Sequence, residues 1–273
     1  LVTLAVTITG VGYAAWLLLD GGAEPRLRVV GEAGLFGFAM FASVCSALAA
    51  GRHRGRERAA WAAMALGTAG WAMGVAGWSV FRLAAHQTPL PWWSTAGYLL
   101  FLSGAGLCLI FLLTAHSPGV RLRLVLDGLT VAAALFVVAW LAVLDEVYRV
   151  RSGDPVSRAW SLVYPVGDIV FVAVAVLLLV RAPAPRRPEL SFLTGGLVLI
   201  AASDTAFAYF AATQKVWSQQ ETAVGWVLGF VAIGLAALFI PSADDDADDV
   251  GYADYVDDAD GVDPVPSRTS TWL

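Results

Sequence analysis

The segment that decides the fold runs from residue 159 to residue 180 and reads AWSLVYPVGDIVFVAVAVLLLV. Only one of its side chains, Asp168, is charged. A helix needs about 20 consecutive, mostly apolar residues to cross the hydrocarbon core of a bilayer, which is about 30 Å thick. The segment therefore predicts a transmembrane helix.

Further segments of similar length share this composition. Over the whole chain 58% of residues are hydrophobic, 14% are charged, and the mean hydropathy is +0.70. Backbone polar groups must be paired internally in hydrocarbon, so only helices or a closed barrel can span it, and these runs are too long for barrel strands. We predict an all-α, polytopic transmembrane helix bundle of about eight spans, at residues 1–19, 29–50, 59–81, 94–115, 124–144, 159–180, 190–212 and 223–240.

The basic residues predict the orientation of the bundle, because short cytoplasmic loops carry an excess of Lys and Arg. We number the loops between the predicted spans in chain order. The second, fourth and sixth loops hold nine basic residues. The other four loops hold seven basic residues together with acidic residues that offset their charge. The densest group is Gly51-Arg-His-Arg-Gly-Arg-Glu-Arg58. We predict a multi-pass plasma-membrane protein with both termini cytoplasmic. We interpret the group as a topology determinant, with a site for anionic lipid or nucleotide as the alternative.

The last 32 residues differ from the rest of the chain. Residues 242–273 contain ten acidic residues and one basic residue, Arg268. Such a segment cannot bury enough apolar surface to offset the entropy of ordering. We predict a transmembrane domain at 1–241 and a disordered, acidic cytoplasmic tail at 242–273. The tail is either simply solvated or binds a basic protein, the chain's own loops or divalent cations.

Histidines and cysteines predict no metal site and no cofactor. His53, His86 and His116 lie in connectors or at helix ends, so no pair inside the membrane can ligate haem or copper. Cys45 and Cys108 lie inside predicted helices, and no disulfide is expected. A P-loop, H-E-x-x-H and G-x-S-x-G are absent from the sequence. The predicted partner is the lipid bilayer, nucleic acid is not expected, and the chain is predicted not to be an enzyme.

Four carboxyl side chains fall within the predicted spans. A charged side chain at the centre of a span costs about 2.5–3.5 kcal/mol on insertion scales, so an acid there indicates function. Glu32 and Asp127 lie within a turn of their helix starts, and we interpret them as interfacial. Asp168 and Asp204 each lie about nine residues from the outer end of a span, which predicts a depth of roughly 14 Å for both.

The sixth and seventh spans are antiparallel neighbours, so we expect these two carboxyls to face each other and share a proton. Nearby polar groups are Tyr164, Ser203 and Tyr209. Pro165 is expected to kink the sixth span one turn before Asp168 and to act as a hinge. Two interpretations stay open: an interhelical hydrogen-bond clamp, or a site that binds a proton or a small ligand.

Glycines and tryptophans give weaker signals. Gly70-x-x-x-Gly74 and Gly225-x-x-x-Gly229 permit close approach to another helix, within the chain or in a homodimer. Tryptophans near span ends are typical of interfacial belts, with Trp71 as a deeper exception. The residues assigned to the belt are Trp78, Trp92, Trp93, Trp160 and Trp226.

Six motifs occur in order along residues 59–240. They are Trp61 through Trp78, Pro91 to Tyr98-Leu99, Leu126-Asp-Gly-Leu129, Tyr164-Pro-Val-Gly-Asp168, Ser203-Asp-Thr-Ala-Phe-Ala-Tyr209, and Gly225-Trp226 with Gly234-Leu-Ala-Ala237. This order resembles the multi-helix membrane domain that precedes GGDEF and EAL domains in actinobacterial cyclic-di-GMP signalling proteins. The resemblance implies a sensory or regulatory input domain.

Two features depart from that family. Thr95 stands where the family often carries an Asp, so a third acidic position is missing. The family usually continues into further helices and a catalytic domain, but neither a GGDEF run nor an EAL run occurs in this sequence. We therefore predict a membrane-embedded signal-input domain without catalytic activity. The alternatives are a small proton-coupled transporter, with Asp168 and Asp204 as its coupling site, and a structural membrane scaffold.

Overall fold

The computed structural model describes residues 2–19, 25–85, 92–114, 118–150, 162–213 and 219–239. Within these ranges the chain is helical and contains no strand, so the predicted all-α class is confirmed. The helices are α1 (Val2–Leu19), α2 (Pro25–Arg52), α3 (Gly55–Ala85), α4 (Trp92–Thr114), α5 (Pro118–Ala139), α6 (Asp145–Val150), α7 (Val163–Val180), α8 (Arg187–Thr213) and α9 (Gln219–Leu238). A π-helical turn, Trp140–Leu144, joins α5 to α6, and a 3₁₀ turn, Ala184–Arg186, precedes α8.

In the described part of the chain, five helical segments are long and apolar enough to cross a membrane. They are Val29–Arg52, Gly55–Phe81, Trp93–Leu113, Leu126–Arg149 and Ala184–Phe210. Shorter apolar stretches lie in α1, α7 and α9, at Leu4–Leu19, Pro165–Val180 and Thr222–Leu238. Five such segments make this chain a membrane protein.

Six helices close into a ring. In order around it, α2, α3, α4, α7, α8 and α9 each pack on the next, and α9 packs back on α2. The interior is filled with side chains, because Trp61, Met64 and Phe230 are completely buried. Outside the ring, α1 packs on α9 and α5 packs on α7. The helices of Leu1–Ile240 form one compact unit, whereas the predicted tail lies outside the described residues.

Two turns meet at one end of the bundle. Arg186, between α7 and α8, donates a hydrogen bond to Glu57, which follows the turn between α2 and α3. The last described residue of the chain, Phe239, stacks on Phe192 near the start of α8 and therefore lies at the same end. We call this the basic end, defined by the arginines at positions 52, 54, 56, 58, 181, 186 and 187.

Glycines let two helix pairs approach backbone to backbone. A Cβ added at Gly104 of α4 would lie 2.5 Å from the carbonyl oxygen of Ala63 and 2.7 Å from Cα of Gly67 in α3. Similarly, a Cβ on Gly229 of α9 would lie 2.9 Å from the carbonyl oxygen of Gly196 in α8. The two predicted glycine motifs thus lie on α3 and α9, which closely approach α4 and α8 of the same chain. A homodimer stays a prediction.

Pro165 lies at the start of a helix and not inside one. The described helix α7 begins at Val163, so Pro165 is in its first turn. The first four N–H groups of a helix have no intrahelical acceptor, so a proline there removes no hydrogen bond. Asp168 lies five residues, about 7.5 Å along the axis, from the start of α7. The hinge and the depth of Asp168 in the membrane stay predictions.

An ion pair connects the peripheral helix α5 to the ring. Asp127, which the sequence analysis assigned to the interface, pairs with Arg181 just after the end of α7. Its side chain is 44% exposed and that of Arg181 is 32% exposed. Exposed pairs contribute little, because water and salt screen them.

Asp127→Asn is therefore expected to cost less than about 1 kcal/mol of unfolding free energy. Denaturation of the wild type and the variant in low salt and in about 1 M salt checks this, because screening should remove the difference. A larger cost that persists in high salt would contradict the assignment.

Candidate functional site

Two helical hairpins bring three polar side chains to one level. Asp168 of α7 and Asp204 of α8 each lie 18 residues from Arg186, at the turn between these helices. Position 215 lies in the connector between α8 and α9. Asp204 of α8 precedes it by 11 residues, and Trp226 of α9 follows it by 11 residues. Antiparallel neighbours joined by a short turn place such residues side by side. The three side chains therefore lie at the junction of α7, α8 and α9.

The three side chains contact one another. The carboxyls of Asp168 and Asp204 lie close enough to interact with each other. The indole N–H of Trp226 donates a hydrogen bond of 2.8 Å to Oδ1 of Asp204. Asp168 is 5% exposed, and its Oδ2 has no hydrogen-bond partner within the described residues. We call Asp168, Asp204 and Trp226 the acid site.

The contact between the two carboxyls is favourable only with a proton. Two ionised carboxylates have only acceptor atoms and repel each other, so a hydrogen bond between them needs a proton on one of them. An indole N–H can only donate, which stabilises the ionised form of Asp204. Asp168 is nearly completely buried and receives no donor at Oδ2, so it is the member better suited to the neutral form. The shared proton stays a prediction.

Aromatic rings connect the acid site to the centre of the ring of helices. The ring of Trp226 lies 5.7 Å from that of Phe207 and 5.8 Å from that of Trp71, measured between centroids. Trp71 in turn lies 4.6 Å from Phe230. These contacts exclude water from one side of the carboxyl pair, which strengthens its hydrogen bonds. They also join the acid site to α3.

The other predicted site residues have different positions. Ser203 is buried, and its Oγ occupies the space that a Cβ at Gly225 would need. Tyr209 lies five residues beyond Asp204, about 140° around the helix, and its ring packs on Phe210 at 5.6 Å. The side chain of Tyr164 lies outside the described residues. Pro165 is buried in the first turn of α7.

Trp226 is the residue of the acid site that the sequence analysis missed. It was assigned to an interfacial belt because it lies near a span end. The available signal was its separation from Asp204, which is symmetric about the connector between α8 and α9. The same hairpin argument that pairs Asp168 with Asp204 also pairs Asp204 with Trp226.

In the ranges that the structure describes, no group of three or more His, Cys, Asp or Glu side chains can hold a metal ion. No family model, no curated protein and no solved structure matches this chain. The resemblance to cyclic-di-GMP signalling proteins therefore stays a prediction from the motifs.

Proposed function

We propose that this protein is a membrane-embedded regulatory module in which the acid site senses protonation and changes the packing of α7 against α8. The observation that carries the proposal is the contact of Asp168 with Asp204, held by the indole of Trp226. A hydrogen-bonded carboxyl pair joins two helices when it holds a proton and separates them when it does not. Signal input, as the motif resemblance implies, is the role that suits such a device.

The magnitude of the effect is sufficient for a switch. Two unit charges about 4 Å apart repel by about 4 kcal/mol at an effective dielectric constant of 20. Loss of the shared proton therefore disfavours the described packing by a factor of roughly 10³ relative to one in which the carboxyls separate. Because α5 packs on α7, displacement of α7 also displaces the peripheral helix.

The proposal includes the arrangement in the membrane. We propose that α1, α7 and α9 cross the bilayer together with the five longer segments, giving eight spans in the plasma membrane. Their support is lateral packing, because α7 and α9 are members of the ring and α1 lies against α9. Excess arginine supports a cytoplasmic position for the basic end. Both termini then face the cytoplasm.

Spin-label distances in vesicles test the proposed switch. Cysteines introduced at Leu129 of α5 and Leu66 of α3, which are 67% and 66% exposed, provide label positions that avoid the packed interior. We expect the distance distribution to change between about pH 5 and pH 9 in the wild type. Asp168→Asn and Asp204→Asn should abolish the change, because an amide cannot lose its proton in this range. Asp145→Asn, at an exposed carboxyl of α6, is the matched control and should respond like the wild type.

Proton flux in the same vesicles distinguishes a transporter. A regulatory module binds and releases protons on one side, so we expect no dissipation of an imposed pH gradient by the wild type or by Asp204→Asn. Flux that Asp204→Asn abolishes would establish the transporter instead. A distance distribution that does not change with pH in the wild type would contradict the switch. It would favour the alternative of a structural scaffold, in which the carboxyl pair is a clamp between two helices.

A further inference from the structure

A second buried carboxyl lies at the opposite end of α8. Glu189 precedes Asp204 by 15 residues, about 22 Å along the helix axis, and lies at the basic end. Its side chain is 0% exposed. Neither of its carboxylate oxygens has a hydrogen-bond partner within the described residues. A buried ionised carboxylate without hydrogen bonds is strongly disfavoured, so this group requires an explanation.

The charged groups around Glu189 belong to several elements. Its nearest cation is Arg186 of the 3₁₀ turn, whose Nε lies 3.6 Å from Oε2 of Glu189. Nη1 of Arg186 donates a shorter hydrogen bond, 2.7 Å, to Oε1 of Glu57 in α3. The other oxygen of Glu57 lies 3.0 Å from Nδ1 of His53, in the turn before α3. Cys108 of α4 is within electrostatic reach of Glu189.

Counting charges shows how this cluster is balanced. Arg186 supplies one positive charge, and Glu57 binds it through the short hydrogen bond. An ionised Glu189 would then leave two carboxylates facing this one guanidinium. One proton on Glu189 removes the second negative charge.

We propose that Glu189 is a second proton-binding site, beside Arg186 and Glu57, that retains one proton to keep the basic end closed. The side chain of Glu189 is 0% exposed, so the proton is shielded from water. Loss of the proton leaves two carboxylates facing the guanidinium of Arg186.

The consequence is a proton-dependent contact between two turns. The bridge from Glu57 to Arg186 connects the start of α3 to the start of α8. Because Glu189 and Asp204 lie on the same helix, α8 carries two proton-binding carboxyls about 22 Å apart along its axis. This inference does not rest on the function proposed for the acid site, since the two sites have no residue in common.

Labelling with a hydrophobic carbodiimide tests the proton on Glu189 directly. The reagent adds to protonated carboxyls in apolar surroundings and leaves a stable acylurea, which peptide mass spectrometry locates. In the protein in detergent at neutral pH, we expect Glu189 to react at least about tenfold more than Glu57, which is the ionised partner of Arg186. Modification of Glu57 but not of Glu189 would overturn the proposal.

Asp204→Asn is the control for the independence of the two sites. It should leave the labelling of Glu189 unchanged, so failure at one site is distinguishable from failure at the other.

Thermal unfolding gives a second, independent readout. Gln has the size of a neutral Glu, so Glu189→Gln should unfold at the same temperature as the wild type. Glu57→Gln is the matched variant, because it removes an ionised carboxylate that accepts a hydrogen bond from Arg186, and its unfolding temperature should fall by about 3 °C or more. An equal fall for Glu189→Gln would show that Glu189 is ionised, which contradicts the proposal.

Discussion

Replacing Gly104 with alanine is expected to lower the free energy of unfolding by about 2 kcal/mol or more, although it adds only one methyl group. The new Cβ would lie 2.5 Å from the carbonyl oxygen of Ala63, 2.7 Å from Cα of Gly67 and 2.9 Å from its nitrogen. These are backbone atoms of α3, which cannot rotate away as a flexible side chain can. The two helices must therefore separate, and the packing between α3 and α4 loosens.

Gly37→Ala is the matched control for this prediction. Gly37 lies inside α2, and a Cβ there meets no atom within 4 Å. Alanine at this position should leave stability unchanged or raise it by about 0.5–1 kcal/mol, because glycine loses more backbone entropy than alanine in a helix. Denaturation followed by helical circular dichroism measures both variants. Equal stability of the two variants would mean that α3 and α4 do not approach as closely as described.

Replacing Trp226 with phenylalanine is expected to destabilise the protein by about 2 kcal/mol more than the same change at Trp61. Phenylalanine at position 226 cannot donate the hydrogen bond that Asp204 receives, and a hydrogen bond to a charged group contributes about 1.5–3 kcal/mol. Trp61 is completely buried, but its indole nitrogen has no partner within the described residues. Both substitutions remove similar volume, so their difference isolates the hydrogen bond.

The same pair of variants has a functional readout. Without the donor, the ionised form of Asp204 loses its stabilisation, so the acid site should hold its proton more tightly in Trp226→Phe. The pH at which the label distance changes should therefore move to a higher value, while Trp61→Phe should titrate like the wild type. If the label distance in Trp226→Phe changes at the same pH as in the wild type, Trp226 does not influence protonation of the acid site.

The location of the acid site indicates how a local proton becomes a larger displacement. It lies where three neighbouring members of the ring meet, and two of these, α7 and α9, also carry a helix outside the ring. The close glycine contacts make α3 with α4 the tightest of the described helix pairs. We therefore expect α7 and α8 to move against a rigid part of the bundle.

Some contacts followed from the sequence because they are local along the chain. The pairing of Asp168 with Asp204 is of this kind, since a short turn between antiparallel helices brings residues at equal distances from it together. The start of α7 was not predictable in this way. Apolar composition continues upstream of Val163, so hydropathy alone extended the span and made Pro165 an interior residue.

The cluster around Glu189 could not be predicted from the sequence. Glu57 and Arg186 are 129 residues apart, and each is an ordinary charged residue in a basic connector when only the sequence is considered. Their contact exists because the ring brings the turn before α3 beside the turn before α8. No periodicity or spacing within either connector specifies that arrangement.

The amino-acid sequence by itself determined the helical class, the apolar segments that suit a membrane and the pairing of the two aspartates. These depend on the length and composition of apolar runs and on hairpin geometry, which are properties of adjacent parts of the chain. Only the tertiary structure decided the order of helices around the ring, the donor role of Trp226 and the buried cluster at the basic end. Those depend on which face each helix turns toward neighbours distant in sequence, such as α2 toward α9 and α4 toward α7. That rotation is set by the packing of all the helices together.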